Sequence, residues 1–317
     1  MSTSNDQSST ATPPDITTPI ITATNQTPVT GTDNLGLLNS FIGTWNSPTG
    51  AAATGYNVMP LPQVGATDGY ITKNFPYFEE ITFAPIAGGA PNREGNFTQQ
   101  SGVLFYEQRV YFATNVDPNG NQPIENTLIH AENGSWLYHT ITKQLDGPFG
   151  PGDVMPPNPL PKQPQSIQYN KQVSVPHGNS ILMVGGPVTK GTGNPDFSDL
   201  RELYQNLPPF SDGREGEDPI KALTDQLAGL GTGVTVDSYS SITVSSNNVE
   251  GGGVSNILFE NKYGKVTRMD TTWYVEKLSN GKTQLQYIQI ILLEFNIGGS
   301  LKAFAHVDAN TLQLVES

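Results

Sequence analysis

The segment from Leu285 to Leu314 constrains the fold most. Side chains along a strand point alternately to its two faces, and in part of this segment the side chains of both faces are apolar. Tyr287 and Ile291 belong to one set, and Ile288 belongs to the other. A strand with two apolar sets is covered on both faces. Gly298-Gly299 follows, and two glycines tolerate the positive φ angles of a tight turn. The segment therefore predicts a β-hairpin whose first strand is buried on both sides.

Composition limits the classes of function that the chain can serve. The 317 residues include 33 glycines and 25 prolines, which predict many turns in one large all-β domain or two smaller domains. There is no cysteine, so disulfides, thiolate metal sites and cysteine catalysis are excluded. The net charge of −13 argues against a nucleic-acid partner or an anionic membrane surface, since both require positive potential. The chain lacks a signal peptide pattern and an apolar run of about 18 residues, so we expect a cytoplasmic protein without a membrane span.

The chain divides into a tail and one domain. Residues 1–33 are rich in Ser, Thr and Pro and are expected to form a flexible tail that contributes little to folding. Residues 34–317 are expected to form a single domain. It opens with a short helix over 34–42, followed by a strand that begins at Gly43-Thr44-Trp45. A helix in this position closes the end of lipocalin-type barrels, with the tryptophan packed across the bottom.

Alternating apolar segments predict eight to ten antiparallel strands joined by hairpins. Asn133-Gly134 and Asn280-Gly281 are typical two-residue hairpin turns. With a turn at Asn133-Gly134, His130 and His139 would face each other diagonally on two arms, where a two-histidine metal site is one interpretation. The predicted fold is all-β, an antiparallel up-and-down, lipocalin-like barrel that encloses a cavity.

Two insertions interrupt the strands. Residues 143–170 contain a dense proline cluster and are expected to form an extended loop. Residues 190–232 contain two helical patterns, the second with Asp218 as N-cap and Pro219 at its first position. This helical insertion is either a lid or a plain surface addition. Helices are expected only at 34–42 and 195–230.

Six short pieces of the chain form an ordered set of motifs. They are Leu38–Trp45, Phe75–Phe83, Leu104–Arg109, His130–Trp136, His177-Gly178 and the segment HVDANTL that begins at His306. In this order they resemble the nitrobindin family, which comprises haem-binding β-barrels of the fatty-acid-binding-protein and lipocalin type. The chain departs from the family pattern in its first strand, GTWNSPTG, which lacks two glycines, and at its corner, where proline precedes the histidine.

The resemblance implies haem b as cofactor and His306 as the axial ligand of its iron. His177 and His130 correspond to the two other histidine motifs and would line the haem site, with His177 as the candidate catalytic residue. The small ligand would be nitric oxide, peroxide or peroxynitrite, and the activity peroxidase-like or peroxynitrite-isomerising.

Three alternatives stay open on the residues alone. His306 is one of four histidines and can equally be an ordinary buried or surface side chain. A barrel of this kind can bind an apolar or aromatic small molecule without haem. It can also be a structural protein whose own side chains fill the interior. The sequence carries no indication of an oligomeric state.

Overall fold

The computed structural model describes residues 35–86, 90–94, 97–113, 126–144, 168–249 and 251–315. The predicted tail, 1–33, and most of the proline-rich segment 143–170 lie outside the described residues. The strands are β1 Gly43–Asn46, β2 Gly55–Pro62, β3 Tyr70–Pro85, β4 Ala90–Glu94, β5 Phe97–Phe112, β6 Leu128–Gln144, β7 Tyr169–Val175, β8 Asn179–Gly185, β9 Thr189–Thr192, β10 Val236–Ser245, β11 Gly253–Asn256, β12 Lys265–Leu278, β13 Thr283–Ile297 and β14 Ser300–Leu314. The α-helices are α1 Pro219–Ala228 and α2 Leu258–Tyr263, and 3₁₀ helices span Gly36–Phe41, Gly50–Ala52 and Ser198–Leu203.

Ten of the strands form a closed antiparallel barrel. Around the ring, β2, β3, β5, β6, β7, β8, β10, β12, β13 and β14 pair successively, and β14 pairs with β2 to close it. Neighbours in the ring follow one another along the chain, which confirms the predicted all-β, up-and-down, lipocalin-like architecture. β1 shares a position with β2, because it also pairs with both β3 and β14.

Two predicted hairpins are confirmed and one is wrong. The turns at Asn280-Gly281 and Gly298-Gly299 connect β12 to β13 and β13 to β14, with all three glycines at positive φ. Asn133-Gly134 instead lies within β6, between β5 and β7. Here the glycine serves close strand packing, because a Cβ on Gly134 would lie 1.8 Å from the carbonyl oxygen of Gln172. His130 and His139 therefore lie on one strand, and the predicted arrangement of the two on facing arms is wrong.

The N-terminal helical turn closes one end of the barrel, as predicted. Phe41 of the 3₁₀ helix is fully buried, and its carbonyl oxygen accepts a 2.7 Å hydrogen bond from the indole of Trp45. The ring of Phe41 contacts Trp136 and Trp273, which come from opposite parts of the barrel wall. We call this end the aromatic base and the opposite end the mouth.

The helical insertion covers the outside of the barrel. Leu223 and Leu227 of α1 form one apolar cluster with Ile288, Ile290 and Val307, which project outward from β13 and β14. The outer cover explains why β13 is apolar in both alternating sets. The helix α2 falls outside the two predicted helical ranges, so that part of the prediction is wrong. Within the described residues, no helix has the length and apolar character needed to cross a membrane.

Candidate functional site

The barrel interior changes from apolar to polar between the base and the mouth. Above the aromatic base, six polar side chains from six strands face one another, and nearly all are buried. We call them the polar belt: Glu79, Gln108, Glu132, Lys171, Gln289 and Asp308. Pairing places Gln108 directly beside Glu132. Burial of a polar side chain lowers stability unless the side chain forms hydrogen bonds. In this belt, polar side chains stand where apolar ones would normally pack.

An ion pair lies at the centre of the polar belt. The Lys171 ammonium is 3.0 Å from Glu132 Oε1 and 3.1 Å from Gln289 Oε1, and Gln289 Nε2 donates a weak 3.4 Å bond to Asp308. Burial raises the pKa of Glu132, but Lys171 and His130 outweigh burial and hold this pKa at about 2. Glu132 is therefore a carboxylate that neutralises the buried ammonium.

Glu79 lies in the same belt without a cation. Its Oε2 accepts hydrogen bonds from Tyr287 at 2.6 Å and from Gln108 Nε2 at 2.8 Å. Burial raises the pKa of Glu79 to about 8 against these two bonds, so the carboxyl is protonated at neutral pH. Burial also raises the pKa of Asp308, to about 7, so this carboxyl is about half protonated at neutral pH.

His130, His177 and His306 converge on the mouth side of the polar belt, and we call them the histidine cluster. The rings of His130 and His177 are 5.5 Å apart between centroids, and His130 Nε2 is 3.7 Å from Glu132 Oε2. Burial, and then the nearness of His130 and His177, lowers the pKa of His306 to about 3. The structure thus brings together the three histidines that the sequence analysis singled out.

His306 is held as a neutral imidazole in one orientation. Its Nε2 lies 2.8 Å from Asn57 Oδ1 on the neighbouring strand β2. With the Asn57 amide in this orientation its oxygen accepts, so Nε2 carries the proton and Nδ1 carries the lone pair. No described residue forms a hydrogen bond with Nδ1. A neutral imidazole with a free lone pair is the form that binds iron.

His177 occupies the corner between β7 and β8. Burial, and then the nearness of His130, lowers the pKa of His177, so its ring is neutral at physiological pH. The next residue, Gly178, has φ 112°, and its carbonyl oxygen accepts a 2.9 Å bond from the amide of Ile257. A Cβ on Gly178 would lie 2.5 Å from the Ile257 side chain, so the corner needs glycine.

His139 does not belong to this cluster. It is bonded to Ser101 at 2.8 Å and to Asn170 at 2.6 Å, and both contacts lie on the opposite face of β6 from Glu132. Within the described ranges, no three His, Asp or Glu side chains are arranged to hold a metal ion by themselves.

Sequence reasoning missed the polar belt. Lys171 alternates with Val173 and Val175, which places it on the apolar face of β7, and this parity was the available signal. On β3, Glu79 is buried and points inward, and its neighbour Glu80 is exposed. Their electrostatic partners come from distant strands, and no local pattern connects those strands to Glu79 or Lys171.

An open groove of about 1110 Å³ lies outside the histidine cluster, along β5, β6, β7, β8 and β11. Its lining includes the half-exposed Phe105 and Leu182 and several small residues such as Ser135 and Ser174. None of the three clustered histidines lines it. Glu132 and Tyr106, which also belong to the interior network, are among the residues that line the groove.

Comparison with known proteins leaves the chain without an assigned family. No protein-family model matches it, and no curated protein is significantly similar to it. The structure itself places the chain among closed, ten-stranded antiparallel β-barrels.

Proposed function

We propose that the barrel binds a small molecule at the histidine cluster, and that this molecule is haem b with its iron bound by His306. The observation that carries the proposal is the convergence of three histidines around a neutral His306 with a free Nδ1. The nitrobindin-like motifs are the independent support. Haem, when bound, supplies an iron that takes a small ligand such as nitric oxide, peroxide or peroxynitrite.

The surroundings of His306 fit a flat apolar cofactor on one side. Ile291 is its cross-strand partner, and Phe304 lies two residues earlier on the same face of β14. The ring of Phe304 packs 4.9 Å from that of Phe295. Apolar side chains beside an imidazole supply the surface that a porphyrin requires.

The remaining residues have distinct roles in this proposal. Asn57 orients the His306 ring through Nε2, which leaves Nδ1 as the iron-binding nitrogen. His177 is neutral at the mouth, so it can accept a proton from a peroxide and return it. His130 connects His177 to the carboxylate of Glu132. A peroxidase-like or peroxynitrite-isomerising activity is the one that these roles support.

Absorption spectroscopy of the purified chain with added haem tests the proposal. We expect a Soret band that saturates at one haem per chain, and we expect His306→Ala to abolish it or shift it strongly. His177→Ala should leave the resting spectrum nearly unchanged and alter turnover with peroxide. His139→Ala is the matched control, because His139 has structural partners away from the cluster.

Two results would contradict this assignment. If His306→Ala keeps an unaltered haem spectrum while His177→Ala loses it, the roles of the two histidines are reversed. If the native chain takes up no haem, the haem assignment is wrong, and the interior serves another ligand or none. The second candidate function is binding of a small molecule without haem. The polar belt favours it, because the apolar porphyrin ring would form no hydrogen bonds with buried carboxyls deep in the barrel.

A further inference from the structure

Two buried oxygen atoms in the polar belt are without hydrogen-bond partners among the described residues. They are Glu79 Oε1 and Gln108 Oε1, and the two residues are 0% and 2% exposed. The atoms belong to neighbouring side chains, since Gln108 Nε2 donates to the other oxygen of Glu79. A buried polar atom without a partner costs about 1–3 kcal/mol. Two such atoms on neighbouring side chains indicate a guest that bonds to both once the Glu79 carboxyl is ionised.

The donors around these oxygens are directed elsewhere. Tyr287 donates to Glu79 Oε2, and Tyr106 donates to Glu132 at 3.0 Å. Lys171 is directed to Glu132 and Gln289. Rotation of one side chain would therefore satisfy one acceptor by depriving another.

The belt also contains more acidic groups than basic ones. Three carboxyls, Glu79, Glu132 and Asp308, face one cation, Lys171, which Glu132 neutralises. The interior already accommodates an ammonium between aromatic rings, because Lys171 Nζ lies 5.0 Å from the ring centre of Tyr106 and 6.0 Å from that of Trp273. Rings in this arrangement stabilise organic cations.

We propose that the polar belt binds the protonated amine group of an organic ligand, whose N–H groups donate to Glu79 Oε1 and Gln108 Oε1. A primary ammonium supplies donors for both oxygens, and its positive charge favours the Glu79 carboxylate that accepts from it. The site does not require iron and lies deeper in the barrel than the histidine cluster, so this inference does not rest on haem binding.

Binding of the cation would change the protonation state of Glu79. Burial keeps its carboxyl protonated at neutral pH, and Asp308 and Glu132 add to that effect by like charge, while Tyr287 and Gln108 oppose it. An ammonium beside Oε1 favours the carboxylate, because opposite charges at close range lower the pKa of an acid. Binding near neutral pH should therefore release a proton from Glu79.

Isothermal titration calorimetry of the haem-free chain tests the proposal with methylammonium, butylammonium, hexylammonium and benzylammonium. The neutral alcohols of the same shapes are the matched ligands. We expect at least one ammonium to bind saturably and its alcohol to bind about tenfold or more weakly, which corresponds to about 1.4 kcal/mol. Titrations in two buffers of different ionisation enthalpy should show proton release.

The variants separate the belt from general effects of buried acids. Glu79→Gln keeps the size of the side chain and should weaken ammonium binding about tenfold and abolish proton release. Gln108→Met removes the second acceptor without changing charge and should weaken binding several-fold. Glu276→Gln is the matched control, because Glu276 is also fully buried, with a pKa raised by burial to about 7, but lies on the outer face beside Gln284.

Several outcomes would overturn the proposal. Equal affinity for ammonium and alcohol, or unchanged affinity in a folded Glu79→Gln variant, would show that the polar belt does not recognise the positive charge of the ligand. Absence of binding by every ammonium would mean that buried water alone satisfies the two oxygens. The Soret band measures haem uptake, and we expect the Glu79→Gln variant to take up as much haem as the native chain. Failure of this proposal can therefore be distinguished from failure of haem binding.

Discussion

At the scale of residues, burial acts in opposite directions on the two kinds of titratable group inside the barrel. It keeps His306 neutral by lowering its pKa to about 3, and it keeps Glu79 neutral by raising its pKa to about 8. Glu132, which is paired with the Lys171 ammonium, is instead held as a carboxylate. Burial therefore reduces the charge inside the barrel near neutral pH, although Asp308, with a pKa of about 7, is then about half ionised.

The pH dependence of stability follows from these shifts. Glu79 binds a proton in the folded state up to pH about 8, whereas the unfolded side chain loses it near its ordinary value of 4.5. Between these values the unfolded state binds fewer protons, so the free energy of unfolding falls as pH rises, by at most about 1.4 kcal/mol per pH unit for this group. Below pH 6.5 His306 has the opposite effect, and stability falls as pH drops toward about 3.

Glu79→Gln isolates the first effect. Urea unfolding of the native chain and this variant should give free energies that diverge steadily from about pH 5 to about pH 8, with the variant gaining relative stability. Above that range the difference should become constant. Parallel curves would show that Glu79 is ionised in the folded barrel.

At the scale of elements, the same dipeptide has two different structures. Asn280-Gly281 forms a hairpin turn with Gly281 at φ 82°, whereas Asn133-Gly134 continues a strand. The turn preference of Asn-Gly is local and weak, and pairing of β6 with both β5 and β7 outweighs it. The strand is identifiable only from its two neighbours, which lie elsewhere in the sequence.

Gly134→Ala tests that explanation. Its Cβ would meet the Gln172 carbonyl at 1.8 Å, so we expect a loss of stability of about 1–3 kcal/mol from the forced strand displacement. Gly231→Ala is the control, because there a Cβ meets its nearest neighbour at an ordinary 3.8 Å. Denaturant midpoints compare the two. A Gly134→Ala variant as stable as the Gly231→Ala variant would mean that β6 and β7 are farther apart than described.

At the scale of the whole molecule, barrel architecture and a two-sided β13 could be predicted from periodicity and turn residues. The histidine cluster could be assembled only through family resemblance, and the polar belt not at all. Both depend on which strands become neighbours around the ring, which sequence alternation does not encode. Alternation with Val173 and Val175 is the only local sign that Lys171 points inward, and the pairing of Lys171 with Glu132 depends on tertiary structure.

Removal of the helical insertion tests its role as an outer cover. Thr192 and Ser238 are paired on adjacent antiparallel strands, so a short turn can replace residues 195–234. Exposure of Ile288, Ile290 and Val307 should then increase binding of a hydrophobic dye and promote aggregation. Polar substitutions at these three positions should reverse both effects while the circular dichroism of the barrel is retained. If the truncated chain neither aggregates nor binds the dye, the insertion is not needed to cover the apolar outer face of the barrel.

The closure of β14 onto β2 links the site to the completion of folding. His306 and Asn57 are 249 residues apart, and their bond lies at the seam where the ring closes. Contacts of such long sequence separation form late, because the entropy of a large loop must be overcome before they contribute. An open barrel therefore lacks both the oriented imidazole and the complete belt. A molecule bound there stabilises the closed barrel by mass action. The pairing of β14 with β2 should therefore last longer as ligand occupancy rises.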